Sequence, residues 1–167
     1  MNKLPLFCFT FLLLMASSAL SQHVDYKFDD TADFSKFKTY KWVYFKNVAP
    51  IDNLTDEQIK TAVDAALAKK GLTKVNGDST ADLFIDYQSS ELIDEKFPKA
   101  PTSDEKPWMI YAGDLAIDMY NPANHDLVWR GVASKALDPK ANPEKRQKNL
   151  NKAIAKLVKN YPPPAKK

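Results

Sequence analysis

The sequence predicts an α+β domain, a two-layer sandwich in which a mainly antiparallel sheet of about five strands carries two helices on one face. Three observations predict it. Short segments alternate apolar and polar residues with the period of two that marks a half-buried strand. Two longer segments repeat their apolar residues at helical spacing and are bounded by capping residues. The later strands are separated by turn-forming residues rather than by helices, so they pair as hairpins.

The first alternation is Val24, Tyr26 and Phe28 against Asp25, Lys27 and Asp29. Asp33 to Phe37 follows as a turn or short helical connection, and Tyr40 to Phe45 is aromatic and β-branched, a second strand. Lys46 to Asn53, with Pro50, is a loop. A helix then starts at Thr55, whose hydroxyl and Gln58 form a capping box. Ile59, Ala62, Val63, Ala66 and Leu67 share its buried face, Lys69 and Lys70 complement the dipole, and Gly71 ends it in a left-handed cap that folds Leu72 onto Leu67. Beyond the Asn76-Gly77-Asp78 turn, Ala81 to Gln88 alternates with Leu83, Ile85 and Tyr87 on one side. Glu91 to Pro107 is a long proline- and charge-rich loop. Tyr111 to Tyr120 and Leu127 to Leu137 make a hairpin across the turn Asn121–Asp126. Asn142 caps the second helix, Pro143 occupies its first position, and Leu150, Ala153, Ile154, Leu157, Val158 and Tyr161 form its apolar stripe.

The chain begins with one positive charge at Lys3 and an apolar run from Leu4 to Ala16. This pattern, followed by the small residues Ala19 and Ser21, is that of a secretory signal cut between Ser21 and Gln22. The run is shorter than the roughly 20 apolar residues of a membrane span. The expected divisions are therefore 1–21 signal peptide, 22–161 a single domain and 162–167 a disordered Pro/Lys tail. Cys8 is the one cysteine and lies inside the signal, so the exported domain has no disulfide and depends on its core. Loss of residues 1–21 takes Lys3 from the 24 basic residues, leaving 23 against 21 acidic ones, a net of +2. That balance argues against nucleic acid as a partner.

Three stretches stand in order along the chain: Ala32-Asp33-Phe34-Ser35-Lys36-Phe37-Lys38-Thr39-Tyr40-Lys41-Trp42-Val43, Ala81-Asp82-Leu83-Phe84-Ile85-Asp86-Tyr87, and Leu127-Val128-Trp129-Arg130-Gly131. With their spacing they resemble the bacterial envelope family known as domain of unknown function 4136. The resemblance implies export and a single domain, and it implies no activity, since that family has none established. Many of its members look like lipoproteins. This sequence departs from them in lacking a cysteine at the signal boundary.

The chemistry the sequence offers is thin. No mature cysteine and no Gly-x-Ser-x-Gly elbow is present, and His125, the candidate general base of a hydrolase, lies in a turn. Asp82 and Asp86 on one strand, with Asp114 and Asp118 on another, are candidate ligands for a hard cation. All four alternate with apolar residues, so they are expected on an outer, solvated face, with Arg130 or Lys135 to compensate. Trp108, Tyr111 and Arg130 are candidates for a binding surface, loops being where binding residues concentrate. Gly131 within a strand marks a bulge or a place where an aromatic ring packs close. No cofactor is expected. The reading is an exported, non-catalytic envelope module that binds a protein or surface polymer, with a small-ligand binding protein as the alternative and a hydrolase with an unfamiliar site behind both.

Overall fold

The computed structural model describes residues 23–44, 52–89, 113–138 and 140–164. The elements run β1 (Val24–Phe28), a 3-10 turn (Phe34–Lys36), β2 (Thr39–Trp42), α1 (Asn53–Ala68), β3 (Thr73–Lys74), β4 (Leu83–Ser89), β5 (Leu115–Tyr120), β6 (Leu127–Ala133) and α2 (Pro143–Val158). The strands join one sheet in the order β1-β6-β5-β4-β2-β3. The α+β sandwich is as expected, with two differences. A sixth strand, β3, is only two residues long, too short to leave an alternating pattern. The sheet is also mixed: β1, β6, β5 and β4 pair antiparallel, whereas β2 runs parallel to both β4 and β3. Parallel neighbours need a long crossover, and α1 supplies it between β2 and β3.

The register explains which side chains are buried. Tyr40 pairs with Leu83, Ile85 with Met119, Met119 with Trp129, and Ile117 with Gly131, which places all of them on one face. Ile59, Val63 and Leu67 of α1 and Leu150, Ile154 and Leu157 of α2 close over that face in a single apolar cluster. Each such side chain contributes about 1.5–3 kcal/mol by leaving water. Gly131 is the close-approach position that the sequence suggested. A Cβ there would lie 2.4 Å from Trp129 Cη2 and 2.8 Å from Leu157 Cδ1.

The helix ends follow from local chemistry. Asp52, rather than Thr55, caps α1: its carboxylate accepts from Thr55 N at 3.0 Å and from Thr55 Oγ1 at 2.6 Å. A carboxylate is the stronger acceptor at a positive helix terminus, so the expected capping box does not form. Gln58 instead donates to the Pro143 carbonyl at 2.9 Å. At the other end Gly71 takes φ +85°, and Leu72 N donates to Leu67 O at 3.1 Å, the expected left-handed close. α2 begins as read, with Asn142 Oδ1 accepting from Lys145 N at 2.9 Å. The two helices run parallel. Arg146 donates to Thr55 near their N-termini and Lys70 Nζ donates to the Lys159 carbonyl at their C-termini. Of the Pro-rich end, Pro162–Pro164 are described and Pro163 is buried.

The face of the sheet away from the helices differs from expectation. Asp86 is 3% exposed and Asp118 0%, and Ala116, Val128 and Val132 beside them are buried as well. Alternation specifies which side a residue takes; it does not specify that the side is open to water. The solvated acidic face read from the pattern is therefore corrected to a covered one around β5 and β6.

Candidate functional site

Among the described residues a polar cleft lies beside α1. Its origin is a regular spacing along α1. Asp56, Lys60 and Asp64 lie four residues apart along α1, so they form one line down the helix flank. The aromatic row of β2 faces that line, with Tyr87 of β4 next to it. Asp64 Oδ1 accepts from Tyr40 OH at 2.7 Å and from Trp42 Nε1 at 2.8 Å, and Asp64 Oδ2 accepts from Lys74 Nζ at 2.9 Å. One carboxylate thus ties α1 to β2 and β3. One turn-pair earlier, Asp56 Oδ1 accepts from Tyr87 OH at 2.6 Å and Asp56 Oδ2 from Lys60 Nζ at 2.7 Å. Lys60 Nζ also lies 5.0 Å from the centre of the Tyr44 ring, and Tyr44 is 63% exposed. The Trp42 and Tyr87 rings meet edge to face at 6.2 Å.

Of these groups Trp42, Lys60, Asp64 and Lys74 line a cleft of about 680 Å³, together with Thr61 and Asn76 among others; Tyr40 and Asp56 brace it from behind. Gly77, at φ +62°, turns the chain back at its rim. Burial, with Asp64 as hydrogen-bond acceptor, pushes the Tyr40 hydroxyl well above the ordinary tyrosine range, and burial with Asp56 does the same for Tyr87. Both phenols therefore act as fixed donors rather than as proton-transfer groups. Burial is the largest single influence on Lys60 and works against its charge, but hydrogen bonding and charge attraction to Asp56 and Tyr44 together outweigh it, and its pKa stands above the ordinary lysine value. The arrangement offers ammonium and amide donors, a hydroxyl and a half-buried indole to a polar ligand.

The residues singled out from the sequence are dispersed. The antiparallel register of β4 and β5 sets Asp86 directly opposite Asp118. Asp82 and Asp114 stand at opposite ends of that strand pair, so the four carboxylates do not converge. Asp82 Oδ2 accepts from Lys38 N at 2.9 Å and from Thr39 N and Oγ1, each at 2.8 Å, and these bonds hold its pKa below the ordinary carboxylate value. Asp114 accepts from Lys135 N at 3.2 Å. Asp118 receives Arg130 Nε and Nη2, each at 2.5 Å, together with Gln88 Nε2 at 2.8 Å and Tyr120 OH at 3.1 Å. Arg130, whose side chain is 13% exposed, is thus committed to Asp118. Among the described residues no group of three or more His, Cys, Asp or Glu is placed to hold a metal ion. His125 takes φ 59° in the β5–β6 turn, with its ring 6.0 Å from that of Phe84. Trp108, Tyr111 and the cleavage pair Ser21 and Gln22 lie outside the described residues. No helix among those described is long and apolar enough to cross a membrane.

Comparison with solved structures shows a shared fold. A DUF4136 family protein from Bacteroides thetaiotaomicron superposes with a TM-score of 0.57 at 15% identity, covering 84% of this chain and 96% of its own. A PDZ domain protein from Parabacteroides distasonis matches with a TM-score of 0.55 at 17% identity, over 84% of this chain and 35% of that longer one. PelC from Paraburkholderia phytofirmans, solved as a dodecamer, matches with a TM-score of 0.50 at 10% identity, over 83% of this chain and 95% of its own. No curated protein sequence matches the chain significantly. The family model for a domain of unknown function, DUF4136, matches residues 24–163, nearly the whole region after the amino-terminal apolar run, and the chain belongs to that family.

Proposed function

We propose that this protein is an exported, non-catalytic envelope module that binds a hydrated surface polymer or the polar surface of a partner protein in the cleft beside α1. The observation that carries the reading is the lining of that cleft. It is a half-open, predominantly polar groove with one aromatic wall, the Trp42 indole, which Asp64 holds in place. Pockets for drug-like molecules are mostly apolar and enclosed; this one suits a chain segment that keeps much of its water and exchanges hydrogen bonds with Lys60, Thr61, Lys74 and Asn76. The non-catalytic part is supported by how the acids are used. Asp33, Asp52, Asp64, Asp82 and Asp118 each accept bonds that cap, tether or neutralise elements of the fold. Export is supported by the amino-terminal pattern of Lys3, the Leu4–Ala16 run and the small residues Ala19 and Ser21. A second reading, a small polar ligand, is favoured by the cleft volume, which falls in the usual range of roughly 300–1,000 Å³.

A photo-crosslinking residue at Thr61, which is exposed at the cleft, tests the proposal in intact cells. The same residue at Ala123, in the β5–β6 turn, is the control. A reproducible polymer or protein adduct from position 61 alone is expected. No adduct, or the same adducts from both positions, overturns the assignment of the cleft. If position 61 captures only a small molecule, the second reading replaces the first.

A further inference from the structure

The chain is close to neutral overall, yet its charge is unevenly placed. α2 carries Lys145, Arg146, Lys148, Lys152 and Lys156 against a single acid, Glu144, and Lys159 follows at its C-cap. Arg146 turns inward to Thr55 and Asp52. The five lysines at 145, 148, 152, 156 and 159 are spaced three or four apart, so they fall within a sector of about 80° at 3.6 residues per turn. The apolar stripe Leu150, Ala153, Ile154, Leu157 and Val158 is buried on the opposite side. The result is a straight ridge of ammonium groups about 21 Å long, with one charge every 4.5–6 Å or so along the axis. Neighbouring charges are closer together than the Debye length of about 8 Å at physiological salt, so they act as one field.

The alignment of these lysines sets them apart. Lys36, Lys60 and Lys74 sit against Asp33, Asp56 and Asp64, and the described lysines off α2 without an ion pair, such as Lys38, Lys69 and Lys140, are scattered over the start of β2, the end of α1 and the loop before α2. On the ridge only Lys145 has an acid near, Asp138 at 4.0 Å; among the described residues no carboxylate lies within ion-pair distance of Lys148, Lys152, Lys156 or Lys159. A merely solubilising surface mixes both signs. This one also places like charges at i, i+4 (148 and 152, 152 and 156), an arrangement that destabilises a helix.

We infer that the lysine ridge of α2 is a docking strip for a linear acidic polysaccharide, a chain whose carboxylates recur along its length. Charge complementarity makes the ligand anionic. Its shape follows from the ridge being one helix wide. α1, beside α2 in the same layer, presents Leu54, Glu57, Thr61, Ala65 and Ala68 outward along its length, with exposed lysines only at its C-terminal end, Lys69 and Lys70. A flat anionic membrane would have to meet that face as well, whereas a chain lying along α2 meets lysines alone. The apolar face of α2 is committed to the core, so it is not available for insertion into lipid. Lysine ammoniums rather than guanidiniums suit a hydrated polymer read by charge spacing, without bidentate geometry. This surface is distinct from the cleft beside α1 and does not depend on it.

The test uses purified protein and polygalacturonate, with dextran as the neutral polymer and phosphatidylglycerol vesicles as the membrane arm. The triple variant K148Q/K152Q/K159Q removes three exposed ridge charges, and K36Q/K38Q/K140Q removes three exposed charges elsewhere for the same net change. Wild-type protein is expected to bind polygalacturonate and not dextran, with affinity falling as salt rises. The ridge triple should lose at least tenfold in affinity and show a shallower salt dependence, while the control triple changes less than twofold. Equal loss in both triples reduces the effect to net charge and overturns the proposal. So does binding to vesicles with none to polygalacturonate, or no polyanion binding at all. Circular dichroism of the ridge triple confirms that α2 is intact. Plugging the cleft with Thr61→Trp should leave polygalacturonate binding unchanged, so the ridge and the cleft stand or fall separately.

Discussion

Replacing Gly131 by alanine tests the packing of the whole sandwich at one methyl group. The added Cβ would lie 2.4 Å from Trp129 Cη2 and 2.8–2.9 Å from Leu157 Cδ1 and Cγ. Favourable carbon contacts begin near 3.5 Å, so the indole must retreat by about 1 Å. Trp129 and Leu157 are 0% and 1% exposed, and the ring is already held edge to face against Tyr161 at 5.8 Å. Leu157 gives way by changing rotamer; the rigid indole gives way only by displacing its neighbours. Overpacking of this kind costs about 1–3 kcal/mol. For a domain of this size about 2 kcal/mol corresponds to a fall in Tm of roughly 4–8 °C. Urea unfolding followed by circular dichroism and by tryptophan emission gives the free-energy difference. In the Trp129→Phe background the shorter ring relieves the clash, so the alanine should cost at least about 1 kcal/mol less there, a positive coupling between neighbours. A single-variant cost below about 0.5 kcal/mol, or the same cost in both backgrounds, would refute the close-approach account of this glycine.

Four other outcomes are expected. Asp118→Asn leaves the Arg130 guanidinium buried without its counter-charge, for a loss of about 3–5 kcal/mol, and the double variant Asp118→Leu with Arg130→Met should be less destabilised than Asp118→Asn alone; chemical denaturation of the three proteins checks the order. Asp64→Ala strips an acceptor from the buried Tyr40 hydroxyl and from Trp42, costing about 2–3 kcal/mol, whereas Asp64→Asn keeps an acceptor and costs about 1 kcal/mol. Lys152→Glu turns two repulsive i, i+4 pairs into attractive ones and should raise stability by about 0.5–1 kcal/mol; thermal unfolding reads it, and an unchanged or lower Tm contradicts the account of the ridge as a like-charge strain. Finally, stability should plateau between about pH 5 and 9. Asp33, Asp52 and Asp82 have pKa values lowered by hydrogen bonds, so the stability they contribute is present above the ordinary carboxylate range and lost as pH falls through their folded values. Burial raises Tyr40, Tyr87, Tyr120 and Tyr161, so the unfolded chain releases protons first above about pH 10 and stability falls as pH rises past that point. A pH series of urea midpoints lacking either shoulder counts against it.

Several elements of the fold are readable one residue at a time. The second helix is announced by Asn142, Pro143 and a stripe with the period of an α-helix, and it forms with those residues in those roles because capping and burial act within a few residues of each other. The left-handed Gly71 and the fold-back of Leu72 are equally local. What escaped depends on neighbours distant in sequence. Asp52 outcompetes Thr55 as the cap, and Thr55 is drawn to Arg146, 91 residues away. The site beside α1 was half visible: Tyr40, Trp42 and Tyr44 share a strand face, but Asp56, Lys60 and Asp64 acquire meaning only when the α1 crossover sets that helix flank against them.

The sequence by itself determined the alternation that names the strands, the two amphipathic helices, the caps of the second, and the family. Each is a property of residues near one another along the chain. Tertiary structure alone decided that β2 lies parallel between β3 and β4, that Asp86 and Asp118 face each other under cover instead of in water, that Gly131 meets Leu157, and that Lys148, Lys152, Lys156 and Lys159 stand without an acid among the described residues while Lys60 and Lys74 beside α1 are paired. Pattern specifies the direction in which a side chain points. Its charge partner and its access to water are set by whatever else the fold brings to the same place.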